Sequence, residues 1–267
     1  MSPRRRAALL LAVPVTAAVA LLSLPLLGLL ARTPWSRLPA LLGTSEVGDA
    51  LALSIGCATL GALIAGALGL PLAAWLAGGC SRIRSVVRVL VLLPMVLPPV
   101  VAGVALLLAW GRGGLVGAPL ERWTGVTLPF TTGGVVVAAA YVALPFFVLA
   151  AEAGLRSFDR RYAGAAATLG AGPWRTFRVV TLPMIAPSLQ AGLVVAWARA
   201  LGEFGATITF AGNLAGETRT LPLAVFAALE SDPDAAIALS LLLVVVSASL
   251  LFLLRGRWLP QRVEEGR

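Results

Sequence analysis

Arg199 and Glu203 stand four residues apart in an otherwise apolar stretch, close enough to pair along one face of a helix. A lone charge near the bilayer centre costs about 2.5 to 3.5 kcal/mol on insertion scales, so opposite charges at this spacing are economical when they face a bundle interior. Two readings fit. The pair is structural, or it lines a pathway on which Arg199 attracts an anion and Glu203 tempers how tightly it is held. After Phe204 come Gly205, Ala206, Thr207 and Thr209, then Asn213, Thr218, Arg219 and Thr220, a small and hydroxyl-bearing run. Such donors suit an oxyanion that must be released again.

Chemistry on covalent bonds has little to draw on. The chain contains no histidine and no lysine, so Ser-His-Asp catalysis, His-liganded metal catalysis and a Walker A phosphate loop are all absent. If ATP powers this protein, another chain hydrolyses it. A membrane aspartyl or Ser-Lys hydrolase needs paired acids or a lysine within spans, whereas Asp49 and Glu152 lie at span edges. Cys57 and Cys80 are too few and too dispersed for a disulfide framework or a metal set. No cofactor or metal is expected.

The elements that position these residues are membrane helices. Of 267 residues, 59% are hydrophobic and only 12% charged, with a mean hydropathy of +0.93, where a soluble domain carries about 25% charged residues. Runs approaching the roughly 20 residues needed to cross the hydrocarbon layer fall near 8–30, 49–77, 89–110, 133–151, 187–211 and 235–254. Six spans are therefore expected. Prolines inside them have their freed carbonyls satisfied by neighbouring helices. The stretch from Leu93 to Val100, LPMVLPPV, must be kinked or locally unwound, either for packing alone or to line or gate a pathway.

All 21 basic residues are arginine. With the N-terminus inside, the inner segments hold Arg4 to Arg6, Arg82, Arg84, Arg88, Arg156, Arg160, Arg161, Arg175, Arg178, Arg255, Arg257, Arg262 and Arg267. The outer loops hold only Arg32, Arg37, Arg112, Arg122 and Arg219. This bias predicts both termini in the cytoplasm and explains the net charge of +9 without nucleic acid. Trp35, Trp75, Trp110, Trp123 and Trp258 sit near span ends, where an amphipathic ring prefers the interface. The first apolar run exceeds the core of a secretion signal, which favours an uncleaved helix. The tail after Leu254 is read as too short for a regulatory domain.

Between the fourth and fifth spans lies the long polar interruption YAGAAATLGAGPWRTFRVVTLP, from Tyr162 to Pro183. Ala165, Ala166 and Leu169 share one face at helical spacing. Gly170 and Gly172 break the helix, and Trp174, Phe177 and Val180 resume an apolar stripe beside Arg175 and Arg178. Small residues let another backbone approach closely, so the segment reads as a docking helix; the plainer reading is an ordinary amphipathic loop. It resembles the cytoplasmic "EAA" loop of ABC importer permeases, with Ala165, Ala166, Gly170, Val180, Leu182 and Pro183 in register and Gly164 where the family has Glu. Gly164, Ala165, Ala166, Leu169, Gly170, Trp174, Leu182 and Pro183 are then the expected coupling residues.

The segments GEFGATITF, GN and GETRTLPLAVF, with LPMVLPPVVAG and ALPFF, resemble molybdate and tungstate ABC importer permeases over about 49–254. Sulfate and thiosulfate permeases share the architecture. The resemblance implies an all-α membrane protein, a single permease domain over 1–267 with a docking loop at 162–183, acting as a homodimer with a pathway at the two-fold axis. It further implies two cytoplasmic ATPase subunits and an extracytoplasmic oxyanion-binding protein as partners; the residues' own chemistry makes Arg199, Glu203, Thr207, Thr209 and Asn213 the pathway candidates. Two rivals differ in kind: a secondary anion transporter, which needs a coupling acid and an internal repeat, and a membrane scaffold, which needs no polar lining.

Overall fold

The structure is a computed structural model that describes residues 3–254; Arg255, Arg257, Trp258, Arg262 and Arg267 lie outside the described residues. Helices dominate and no strand occurs among the described residues. In chain order they are α1 (Pro3–Arg32), α2 (Leu38–Leu42), α3 (Ser45–Ala77), α4 (Arg82–Val96), α5 (Pro99–Trp110), α6 (Gly117–Thr124), α7 (Thr132–Ser157), α8 (Arg160–Thr168), α9 (Pro173–Thr176), α10 (Leu182–Leu201), α11 (Gly205–Phe210), α12 (Leu221–Ser231) and α13 (Pro233–Leu254).

Helix α7 is the centre of the bundle, packed between α3 and α10. Its buried face is built from Ala139, Ala143, Phe147, Val148 and Ala151, facing Ala58, Ala65 and Ala73 of α3 and Ala196 and Ala200 of α10. Without water to drive association, membrane helices gain by close van der Waals approach, which small residues allow. At Gly61 the approach is tight enough that an added Cβ would stand 2.8 Å from the Ala139 Cβ. Trp197 Nε1 of α10 donates to Thr59 Oγ1 of α3 at 3.0 Å, a bond worth roughly 0.6 kcal/mol in such a setting. Helix α1 lies outside this packing, its apolar length left exposed, with α13 as a neighbour.

Among the described residues, five helical stretches are long and apolar enough to cross a bilayer: Ala12–Arg32, Ser45–Ala77, Thr132–Ser157, Pro173–Leu201 and Pro233–Leu250. The third expected run, 89–110, is not among them, and the break falls in the LPMVLPPV stretch where a kink or unwinding is expected. There the chain leaves the helix at Leu97 (ψ 136) and Pro98 (ψ 135), dividing the run into α4 and α5. Consecutive prolines supply no N–H and push the preceding residue out of the α region, so a kinked or unwound LPPV segment is what the sequence required.

The fifth expected span is corrected. It starts earlier, because a π-helical turn at Phe177–Thr181 joins α9 to α10 without a break, and it stops at Leu201 rather than at Ala211. The chain bends through Gly202, Glu203 and Phe204, then forms the short α11. The two interrupted spans pack on each other. A Cβ on Gly205 would stand 2.5 Å from the Pro99 Cβ, and one on Gly103 would stand 2.6 Å from the Thr209 Cβ.

Candidate functional site

Two sites are built on opposite ends of one rod. The helical stretch Pro173–Leu201 is 29 residues, about 43 Å at 1.5 Å per residue. Its first turn belongs to the polar loop; its last turn carries Arg199.

At the far end, Arg199 Nη1 meets Glu203 Oε2 at 2.7 Å. The other carboxylate oxygen accepts from the Ala206 N–H at 2.8 Å, so Glu203 also caps the first turn of α11. The carboxylate is 2% exposed while the Arg199 side chain is 32% exposed. A buried carboxylate with both oxygens engaged leaves no lone charge to hold an ion, and it fixes where the span breaks. Phe204 turns the chain against Phe226 of α12, ring centroids 5.0 Å apart.

The other pathway candidates are buried or engaged locally. Thr207 is fully buried. Thr209 Oγ1 donates to the Gly205 carbonyl at 2.9 Å, and Asn213 Oδ1 accepts from Arg219 Nε at 2.9 Å. Thr218 Oγ1 accepts from the Leu214 N–H at 2.9 Å. Thus Arg199 and Glu203 are brought together, Thr207 and Thr209 ride on the helix that Glu203 caps, and Asn213 pairs instead with Arg219 in the following loop. The segment is anchored to α3 where Ser54 Oγ accepts from the Leu221 N–H at 2.7 Å.

The near end is the reverse. Asp159 Oδ1 accepts from the Arg161 N–H at 2.9 Å and starts α8; hydrogen bonds from the Arg161 side chain and backbone hold the Asp159 carboxyl below its ordinary range. Helix α8 stops after Thr168, and Gly170 adopts φ +82, a left-handed conformation that glycine takes without a Cβ penalty. Gly172 then leads into α9, which opens with Pro173. Leu169 is 88% exposed and Trp174 72% exposed, the latter ring stacked on Phe177 at 6.0 Å. Gly164 and Ala165 are exposed, Ala166 is half-buried, and nothing stands within 4 Å of where a Gly164 Cβ would be. Leu182 and Pro183 begin α10, Leu182 half-buried and Pro183 exposed.

A third cluster went unseen in the sequence. Glu152 is buried on α7, and its Oε1 accepts from Arg88 Nη2 of α4 at 2.6 Å and from Arg156 Nε and Nη2 at 2.9 and 2.8 Å. The spacing of Glu152 and Arg156 was a readable signal. Arg88, 64 residues away, carried none.

The chain matches the family model described as "Binding-protein-dependent transport system inner membrane component" over residues 69–265. It is 46% identical over 235 residues to the Mycobacterium tuberculosis protein named "Molybdenum transport system permease protein ModB", covering 88% of this chain and 89% of that one. The Escherichia coli K12 protein of the same name is 40% identical over 219 residues, covering 82% and 95%. Among solved structures, a bacterial ABC transporter that imports alginate aligns with a TM-score of 0.75 at 18% identity, covering 98% of both chains. The MetNI methionine ABC transporter aligns with a TM-score of 0.61 at 16% identity, covering 80% of this chain and 99% of that one. At such identities these structures speak for the fold alone. Helices that match importer permeases in architecture, a family model spanning most of the chain and close relatives over nearly all of it converge: the chain belongs to the binding-protein-dependent transport system inner membrane component family, as a multi-pass membrane protein.

Proposed function

We propose that the protein is the permease subunit of an ATP-driven importer that carries molybdate across the cytoplasmic membrane. The observation that carries the cargo assignment is the 46% identity, over nearly the whole chain, to a relative named for molybdenum transport. Sulfate and thiosulfate remain the comparison cargoes, being oxyanions of similar charge and shape.

The finer picture has the chain cross six times, α4 and α5 together making one crossing, with both termini in the cytoplasm. Two copies form the pathway at their two-fold axis. Two cytoplasmic ATPase subunits dock on the loop holding Gly164, Ala165, Ala166, Leu169, Gly170 and Trp174, and an extracytoplasmic binding protein delivers the anion to the outer loops. Leu169 and Trp174 support this reading: both are large apolar side chains that stay mostly exposed on a polar loop, Trp174 even while stacked on Phe177. Closure of the ATPases would push the near end of the 29-residue rod and, through it, the break at Gly202 to Phe204, a rigid-body route to alternating access.

Arg199 and Glu203 serve as a balanced pair that sets this break. The passing anion then meets neutral groups, the half-buried Asn213 amide foremost among the candidates, and not a free cation. The test is uptake into proteoliposomes holding this chain with its ATPase and binding protein. ATP-dependent molybdate accumulation resistant to excess sulfate is the expected result; sulfate accumulation without molybdate uptake would reassign the cargo.

A further inference from the structure

We propose that the Arg88–Glu152–Arg156 cluster is a binding site for a phosphate group, that of an anionic phospholipid in the leaflet at the arginine-rich end of the bundle. The proposal rests on the bilayer placement given above but not on the cargo.

Charge does not balance in this cluster. Two guanidiniums share one carboxylate, and all three of their contacts within 3 Å converge on a single oxygen, Glu152 Oε1. Arg88 Nη2 also reaches the Leu76 carbonyl at 3.4 Å. Each guanidinium has five N–H donors. Among the described residues, Arg88 Nε and Nη1 and Arg156 Nη1 donate to no protein acceptor, and the surplus of one positive charge is uncompensated within the cluster.

The cluster opens into a recess of about 400 Å³ lined by Arg88, Leu149, Glu152, Ala153 and Arg156. Glu152 is 8% exposed, whereas Arg88 and Arg156 are 29% and 48% exposed, so the carboxylate forms the floor and the guanidiniums the rim. A guanidinium fork matches a phosphate bidentately. Leu149 and Ala153 are exposed beside the arginines, and Val86, Val89 and Leu90 of α4 are exposed as well. A charged rim with apolar surface beside it suits an acylated phosphate better than a free one, and basic recesses between membrane helices bind acidic headgroups in this manner.

The full chain is purified and reconstituted into nanodiscs of mixed phosphatidylglycerol and phosphatidylcholine, and the lipid it retains after detergent extraction is counted by native mass spectrometry. Arg156→Gln leaves a balanced Arg88–Glu152 pair, and Ala153→Glu places an opposing charge at an exposed rim position that needs no repacking. Wild type should retain phosphatidylglycerol in preference, and Arg156→Gln should reduce that preference about fivefold, the attraction of one arginine near an acidic surface. Ala153→Glu should reduce it likewise. In a second arm, inorganic phosphate is titrated onto lipid-stripped protein. Arg156-dependent phosphate binding without phosphatidylglycerol preference would overturn the lipid source. Equal phosphatidylglycerol retention by wild type and both variants would overturn the site. Neither readout involves cargo or ATPase, so failure here leaves the transport reading untouched.

Discussion

The two ends of the Pro173–Leu201 rod differ in how they treat their own side chains. At the Arg199 end every charge is answered from within: one oxygen of Glu203 faces Arg199 at 2.7 Å, the other the Ala206 N–H at 2.8 Å. At the Trp174 end the apolar groups are turned outward, Leu169 and Trp174 being largely exposed. A segment that must keep its shape inside a low-dielectric bundle satisfies itself, because an unpaired buried charge is costly. A segment that must be met by another protein leaves its apolar surface uncovered. The same helix thus joins a self-contained break to an exposed apolar surface.

The comparison is broken most severely at Glu203. Glu203→Gln strands the Arg199 charge and weakens the α11 cap, and removing one partner of a buried pair costs about 3 kcal/mol or more. Membrane abundance should fall sharply. Replacing both Arg199 and Glu203 by Gln should recover more abundance than either single change, which a double-mutant cycle reads directly. Wild-type abundance and uptake in Arg199→Gln would show the pair to be dispensable.

A smaller effect is expected where the two interrupted spans meet. Gly205→Ala places a methyl 2.5 Å from the Pro99 Cβ, an overpacking that costs about 1 to 3 kcal/mol. Thermal unfolding in detergent should shift downward. At the outward end the same kind of change should be harmless: Gly164→Glu enters open space on α8 and exchanges a poor helix former for a good one, a gain of about 0.5 kcal/mol. Loss of ATPase binding in that variant would show that a Cβ at 164 obstructs the partner.

The smallest effect concerns pH at the loop. Because hydrogen bonds from Arg161 lower the Asp159 carboxyl in the folded chain, its contribution is complete above the ordinary carboxylate value near ~3.9. It is lost only as pH falls through the lower folded value. Hydrogen exchange of the α8 amides should be unaffected by Asp159 protonation between pH 7 and ~5, beyond the chemistry of exchange itself, and lose protection only below about pH 4.

How much of this was legible varies with the range of the interaction involved. The long helices α3 and α7 followed from unbroken apolar runs, and the break at Leu97 and Pro98 followed from the proline pair, since both are local effects. The end of α8 was legible for the same reason, Gly170 being needed at φ +82. The stop at Leu201 was not. Gly202 is a local stop signal only in hindsight, because the break depends on Glu203 folding back to cap α11 and on Gly205 fitting against Pro99. Arg199 and Glu203 were found because they are one turn apart, but Glu152 drew attention only as an isolated edge acid. Its partner Arg88 lies on another helix, and only tertiary packing joins them.

Leu169→Asp tests the central claim most directly. The side chain is 88% exposed, so the substitution should leave the permease inserted and folded. The measured quantity is recovery of the ATPase subunit with affinity-purified permease at matched membrane abundance. The account predicts loss of most of the ATPase from Leu169→Asp at unchanged permease abundance. Wild-type recovery of the ATPase, with normal molybdate-stimulated hydrolysis, would contradict it and leave the outward face of this loop without a role in coupling.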